Sequence, residues 1–332
     1  MKNNCQVISE MNLPTKEGIE LEIAIHQKFI NEYKKEKVNK ESVEHFFEKF
    51  SLYPQNLFFL TMDKIQFVGR KTLSKHYLKG DLLESHCTEI DAHMLLGKLL
   101  DEQISEQGIH LYFTNMTKSE KDLVINKLMK NNSVNISYKY VFFYKNQLSE
   151  RSSPIDGWKL NTMRATNLSN GENIIRKFTN SIFLKDFNLT NKLVYDPSCS
   201  TGKFLSEIKK YYPSCYTLGQ DISESMTEFA KDKVDEVHCL DAKVSPRNGR
   251  FADFIFIRFL NSEVIKRENA KLIYKNIIKR INKGGYIVIL GHTPILLSLY
   301  DMALPDYEII RANAYSSELQ SVFQYYVIRY KG

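Results

Sequence analysis

A chain of 332 residues with 43% apolar and 26% charged residues has an ordinary globular composition, too long for one typical core and about right for two domains. It lacks any uninterrupted apolar run of about 18 residues, and its start, Met1-Lys2-Asn3-Asn4-Cys5-Gln6, carries no apolar signal segment, so a membrane protein is excluded and the cytoplasm is the expected location. The net charge of +7 is spread through mixed runs such as Tyr33-Lys34-Lys35-Glu36-Lys37, which leaves a nucleic-acid partner open without indicating one. Five scattered cysteines without Cys-x-x-Cys spacing argue against a disulfide framework and a zinc knuckle, and reduced thiols are expected.

In chain order, residues 15–50 read as two packed helices, with Ile19, Leu21, Ile23, Ile25 and Phe29 in the first and Val43, Phe46, Phe47 and Phe50 in the second. Residues 56–67 have strand density. A helix with a Leu/Ile face is expected over 82–107, ending at Gly108, then a strand at 109–113, a helix at 118–130 and an aromatic-rich strand at 134–144. This half is α+β. The polar stretch Ser149-Glu150-Arg151-Ser152-Ser153-Pro154 has linker composition, so residues 1–150 are expected to form an accessory domain that covers the substrate or mediates a homodimer, and residues 151–332 a second domain.

After a helix at 172–183, strand and helix signals alternate through 193–196, 203–211, 217–221, 226–233, 236–240, 254–257, 270–281 and 286–290, and strands at 307–311 and 322–330 follow as an antiparallel hairpin. The expected fold of this half is α/β, a Rossmann-like, doubly wound, mostly parallel seven-stranded sheet with helices on both faces.

The chemistry concentrates in Leu193-Val194-Tyr195-Asp196-Pro197-Ser198-Cys199-Ser200-Thr201-Gly202, a buried strand breaking into a small-residue turn that opens a helix. Asp221 ends the next strand, 25 residues after Asp196, where a carboxylate can accept the hydroxyls of a nucleoside held over the first turn. Asp241-Ala242 ends the third strand, where an adenine could be held. A dinucleotide site would want G-x-G-x-x-G, but this turn keeps only Gly202 and has an acid, which suits a ligand carrying an ammonium or sulfonium charge.

These residues resemble the class I S-adenosylmethionine-dependent methyltransferases. Asp196, Ser198, Ser200 and Gly202 stand where that superfamily has D-x-G-x-G-x-G, and Cys199 lies within the same turn. Asp221 lies in Gly219-Gln220-Asp221-Ile222-Ser223-Glu224-Ser225-Met226, similar to the family's ribose segment, and Lys283-Gly284-Gly285-Tyr286 resembles its turn before the fifth strand. Cys199-Ser200-Thr201-Gly202, Ile257-Arg258-Phe259-Leu260 and Leu290-Gly291-His292 further resemble the chemotaxis-receptor glutamate methyltransferases. The resemblance implies S-adenosylmethionine as cofactor, bound by Asp196, Ser198, Cys199, Ser200, Gly202, Asp221, Ile222, Met226, Asp241, Ala242 and Arg258.

It also implies methyl transfer to an O or N atom of a small molecule, with a protein carboxylate or RNA as alternative acceptors. An inactive cofactor-fold assembly protein is the alternative of another class. Arg258, Asn261 and His292 follow the fourth and fifth strands, where an acceptor would face the cofactor, which makes Arg258 and His292 the catalytic candidates. No metal is expected: His86, Glu89 and His93 are read as a solvated helix face, and Cys199 as a small residue without a histidine to activate it.

Overall fold

The computed structural model describes residues 16–35, 38–50, 56–72, 88–141, 173–244, 246, 249–261, 264–291, 294–317 and 320–332. The expected boundary near residue 150 lies outside them. The first half carries helix α1 (Lys16–Tyr33) over an antiparallel sheet of β1 (Val43–Lys49), β2 (Leu57–Met62), β3 (Ile65–Arg70), β4 (Leu95–Ile104), β5 (Gly108–Asn115) and β6 (Ile136–Ser137), ordered β1-β5-β4-β3-β2-β6. Helix α2 (Lys118–Lys130) starts at a capping box in which Thr117 and Glu120 exchange side-chain to backbone hydrogen bonds.

Two helices read from the sequence are strands here. Residues 43–49 pair with β5 at the sheet edge, where Phe46 packs beside Phe29 of α1 and Glu48 points to buried Arg70. Residues 95–104 pair with β3 and β5, and a Cβ on Gly97 would stand 2.1 Å from the Thr114 carbonyl oxygen. Leu95-Leu96 and Leu99-Leu100 give the helical signal, yet adjacent leucines also serve a strand with apolar neighbours on both faces. Of the strand expected at 134–144, only Ile136–Ser137 pairs, with β2, and residues 142–144 lie outside the described residues.

Arg70 is wholly buried and donates from Nη2 to Glu22 of α1 at 2.6 Å and from Nε to Glu48 of β1 at 2.6 Å. This triad joins helix, edge strand and central strand in one charged knot.

The second half opens with α3 (Asn173–Phe178), a π-helical turn (Thr179–Phe183) and α4 (Leu184–Asp186). The sheet then comprises β7 (Leu193–Asp196), β8 (Tyr216–Asp221), β9 (Glu236–Cys239), β10 (Ala252–Ile257), β11 (Ile281–Ile289), β12 (Tyr307–Ser316) and β13 (Ser321–Tyr330). Its order is β12-β13-β11-β10-β7-β8-β9, parallel from β11 to β9, with β13 antiparallel between β11 and β12. The intervening helices are α5 (Lys203–Tyr211), α6 (Glu224–Ala230), α7 (Arg267–Ile277) and α8 (Leu299–Met302).

Alternate residues of β10 feed opposite cores: Ile255 and Ile257 join α7, while Phe254 and Phe256 join α5 and the Thr179–Phe183 turn. Both faces are therefore covered, as a doubly wound sheet requires.

The two halves are fastened along β12 and β13. Ile90 pairs with Val322, Thr88 Oγ1 accepts the Gln324 amide, and Gln324 Nε2 donates to the Ile136 carbonyl at 2.8 Å. Asn313 Nδ2 donates to the Val134 carbonyl at 2.7 Å, and the Asn132 carbonyl accepts the amides of Ala312 and Asn313. One apolar cluster runs from Phe58, Leu95 and Leu128 to Ile289, Val322 and Tyr326. No helix among the described residues is long and apolar enough to cross a membrane.

Candidate active site

From β7 the chain steps to β8 on one side and reaches β10 on the other, so strand order reverses between β7 and β10 and a crevice opens at their carboxyl ends. Asp196 is the last residue of β7. The turn after it folds under tight local constraints: Ser200 and Gly202 have φ of 52° and 71°, and a Cβ on Gly202 would come within 3.0 Å of the Ala230 Cβ. The Cys199 amide donates to the Gln220 carbonyl at 2.8 Å, and its sulfur sits where a Cβ on Gly219 would have to go, 2.8 Å away. A glycine is thus required at position 219, against the Cys199 side chain.

Asp196 has no exposed surface. One carboxylate oxygen accepts the Ser198 amide at 3.0 Å and the other accepts Arg258 Nε at 2.8 Å, while Arg258 Nη2 donates to the Ser198 carbonyl at 3.0 Å. The Arg258 guanidinium lies 4.9 Å from the centroid of Phe204, in the first turn of α5. This modifies the sequence reading. The charge expected to meet a cationic ligand is spent on Arg258, and the arginine expected near the acceptor is folded under the cofactor turn.

Asp221 ends β8 and is 7% exposed. Its oxygens accept the Ser200 amide at 2.9 Å and the Ser223 amide at 3.0 Å, which pins the first turn to the second strand. Burial raises its pKa above the usual carboxylate value, against the lowering pull of the Ser223 and Ser200 amides, Arg258 and the Ile222 amide. The backbone amides on this carboxylate do not exhaust its roughly four acceptor positions, so capacity remains for a further hydroxyl donor. Ile222 is half-exposed at the rim, and buried Met226 accepts the Ser200 hydroxyl on its sulfur at 3.4 Å.

Asp241 and Ala242 lie partly exposed after β9, and Asp241 Oδ1 accepts the Lys243 amide at 2.8 Å. Sequence reasoning missed Gln220, which organises this turn. Its Nε2 donates to the carbonyls of Asp241 at 2.7 Å and Val244 at 2.9 Å, and its Oε1 accepts the Tyr195 hydroxyl at 2.9 Å. The available signal was a polar side chain inside the buried strand run Leu218-Gly219-Gln220.

Asn261 is buried after β10, bridged to Ile295, with its side chain against Gly291. His292 lies outside the described residues. Burial, reinforced by Asp196 and Asp221 and opposed by Arg258, pushes the Cys199 thiol far above its ordinary pKa, which agrees with a packing role. Among the described residues no cluster of His, Cys, Asp and Glu could hold a metal. The expected solvated helix at 86–93 is corrected: Glu89 and His93 are buried, a short 3-10 turn at Ala92–Met94 leads into β4, and His86 lies outside the described residues.

The site thus offers a close-approach turn, a buried carboxylate at Asp221 and a constrained turn at Asp241, all at one switch point. Residues 195–289 match the family model described as Methyltransferase domain. These residues form a class I S-adenosylmethionine-dependent methyltransferase domain. Over 284 residues, covering 83% of this chain and 92% of the relative, the chain is 28% identical to isonocardicin synthase of Nocardia uniformis subsp. tsuyamanensis.

A second relative is 25% identical over 100 residues, 30% of this chain and 24% of its own length: the tRNA (carboxymethyluridine(34)-5-O)-methyltransferase of Arabidopsis thaliana. Among solved structures, magnesium protoporphyrin IX methyltransferase of Synechocystis with bound S-adenosylmethionine aligns at a TM-score of 0.39 and 14% identity, over 52% of this chain and 85% of that one. S-adenosylmethionine is the cofactor of the methyltransferase domain, and the cradle at Gly202 and the acceptor capacity of Asp221 fit it.

Proposed function

We propose that this enzyme methylates an oxygen or nitrogen of a small molecule. The observation that carries the reading is the turn Asp196–Gly202 pinned to Asp221 at the switch point, a cradle shaped for a nucleoside with a methionine-sized arm. When bound, the cofactor supplies a sulfonium-activated methyl group. Asp221 holds the ribose hydroxyls, the turn from Ser198 to Gly202 supplies backbone to the methionine arm, and Ile222, Met226, Asp241 and Ala242 shape the nucleoside side. The acceptor enters over the end of β10, near Asn261, and alignment in this crevice is the main catalytic contribution.

Match to isonocardicin synthase over 92% of that protein's length supports a small-molecule acceptor over a macromolecular one. The free thiols of Cys199, Cys215 and Cys239 suit a reducing cytoplasm.

Incubation of the enzyme with a cell extract and S-adenosylmethionine, labelled in one arm at the methyl carbon and in a second at the aminoacyl chain, tests this reading. Apart from the cofactor and its co-product S-adenosylhomocysteine, which keeps the aminoacyl chain, the labelled small molecule is expected to carry methyl label alone. Label in protein or RNA, or aminoacyl label in any product other than that co-product, overturns it.

A further inference from the structure

We propose that Arg258 is a positioning residue that acts on the cofactor through Asp196, without touching cofactor or acceptor. The inference rests on the assignment of the β7–β10 crevice to S-adenosylmethionine. Arg258 follows β10 and Asp196 ends β7, so their ion pair spans the strand-order reversal itself. The guanidinium meets the Asp196 carboxylate on Nε, the Ser198 carbonyl on Nη2 and the Phe204 ring against its face.

Both side chains are nine-tenths or more buried, and Nε and Nη2 point into the floor of the turn. The Ser198 amide is already held by Asp196, so arginine and aspartate grip both backbone groups of Ser198 between them. The pair fixes the peptide planes that the cofactor's methionine arm must approach.

Charge supports the same role. A buried carboxylate without a counter-ion at the end of β7 would be held at high cost, and Arg258 supplies the counter-ion from the neighbouring strand. Asp196 then presents no net charge to the crevice, and Asp221 and Asp241 are the acids left on the nucleoside side.

The test is a double-mutant cycle read by calorimetric binding of S-adenosylhomocysteine and by thermal midpoint. Arg258→Gln leaves Asp196 charged and buried, and is expected to weaken binding at least tenfold and lower the midpoint. Adding Asp196→Asn restores a neutral hydrogen-bonded pair, and the double variant is expected to recover binding to within about threefold of Asp196→Asn alone.

A double variant as weak as Arg258→Gln overturns the proposal, because it would mean that Arg258 contacts the cofactor directly. Unchanged binding in Arg258→Gln overturns it as well. Where Arg258→Gln fails to fold, the comparison of the double variant with Asp196→Asn decides alone: equal affinity supports the proposal and a tenfold deficit overturns it. Failure of the unaltered protein to bind S-adenosylhomocysteine would instead remove the cofactor assignment, so the two failures are distinct.

Discussion

At the scale of single residues, Gly202 and Asp221 do different work on one ligand cradle. A Cβ at position 202 meets Ala230 on a backbone at φ 71°, so Gly202→Ala is expected to cost about 1–3 kcal/mol, checked by urea unfolding. Asp221 responds to pH in two opposite ways. Its folded-state pKa is raised above the ordinary value of 3.8, so the folded ligand-free protein binds this proton more tightly than the unfolded chain.

Stability from this group therefore increases as pH falls through the window just above 3.8 and is lost as pH rises through the raised pKa. Cofactor affinity moves the other way, since the ribose hydroxyls donate best to the ionised carboxylate. Titration calorimetry of S-adenosylhomocysteine from pH 7 to pH 4 should show the loss, and Asp221→Asn should flatten it while weakening binding at neutral pH by about 2 kcal/mol. That Asp196 and Asp221 each end a strand of the sheet was legible in the sequence. Gln220 and the pairing of Asp196 with Arg258 were not, because spacing shows which residues end strands and says nothing of which strand ends meet.

Among elements, the parallel strands were legible where a short β-branched or aromatic run is bounded by turn residues, as in Phe254-Ile255-Phe256-Ile257. The antiparallel sheet was harder. In β1 the run His45-Phe46-Phe47-Glu48 mixes polar and aromatic residues on both faces, and its burial depends on Arg70, a residue of a different strand. Arg70→Met strands the buried carboxylates of Glu22 and Glu48 and is expected to destabilise the protein by about 3–5 kcal/mol in urea. Replacing all three by apolar residues of similar volume should return most of that loss.

Over the whole molecule, the described residues of both halves, each with its own sheet, share one apolar cluster and a seam of hydrogen bonds at Thr88, Gln324 and Asn313. Calorimetry is expected to show one cooperative transition whose van't Hoff and calorimetric enthalpies agree, and two resolved transitions would contradict a shared core. The seam also places the first half on the side of β13 next to the carboxyl ends of β10 and β11, where Gln324 accepts the Ile295 amide.

Strand β12 forms the outer margin of its sheet, where unpaired backbone groups invite another chain. Its register shifts near Arg311, and next to that shift the Asn132 carbonyl takes up the amides of Ala312 and Asn313. The first half thereby acts as a guard against strand addition, and a fragment of residues 173–332 should associate edge to edge into insoluble material even where its own strands are formed.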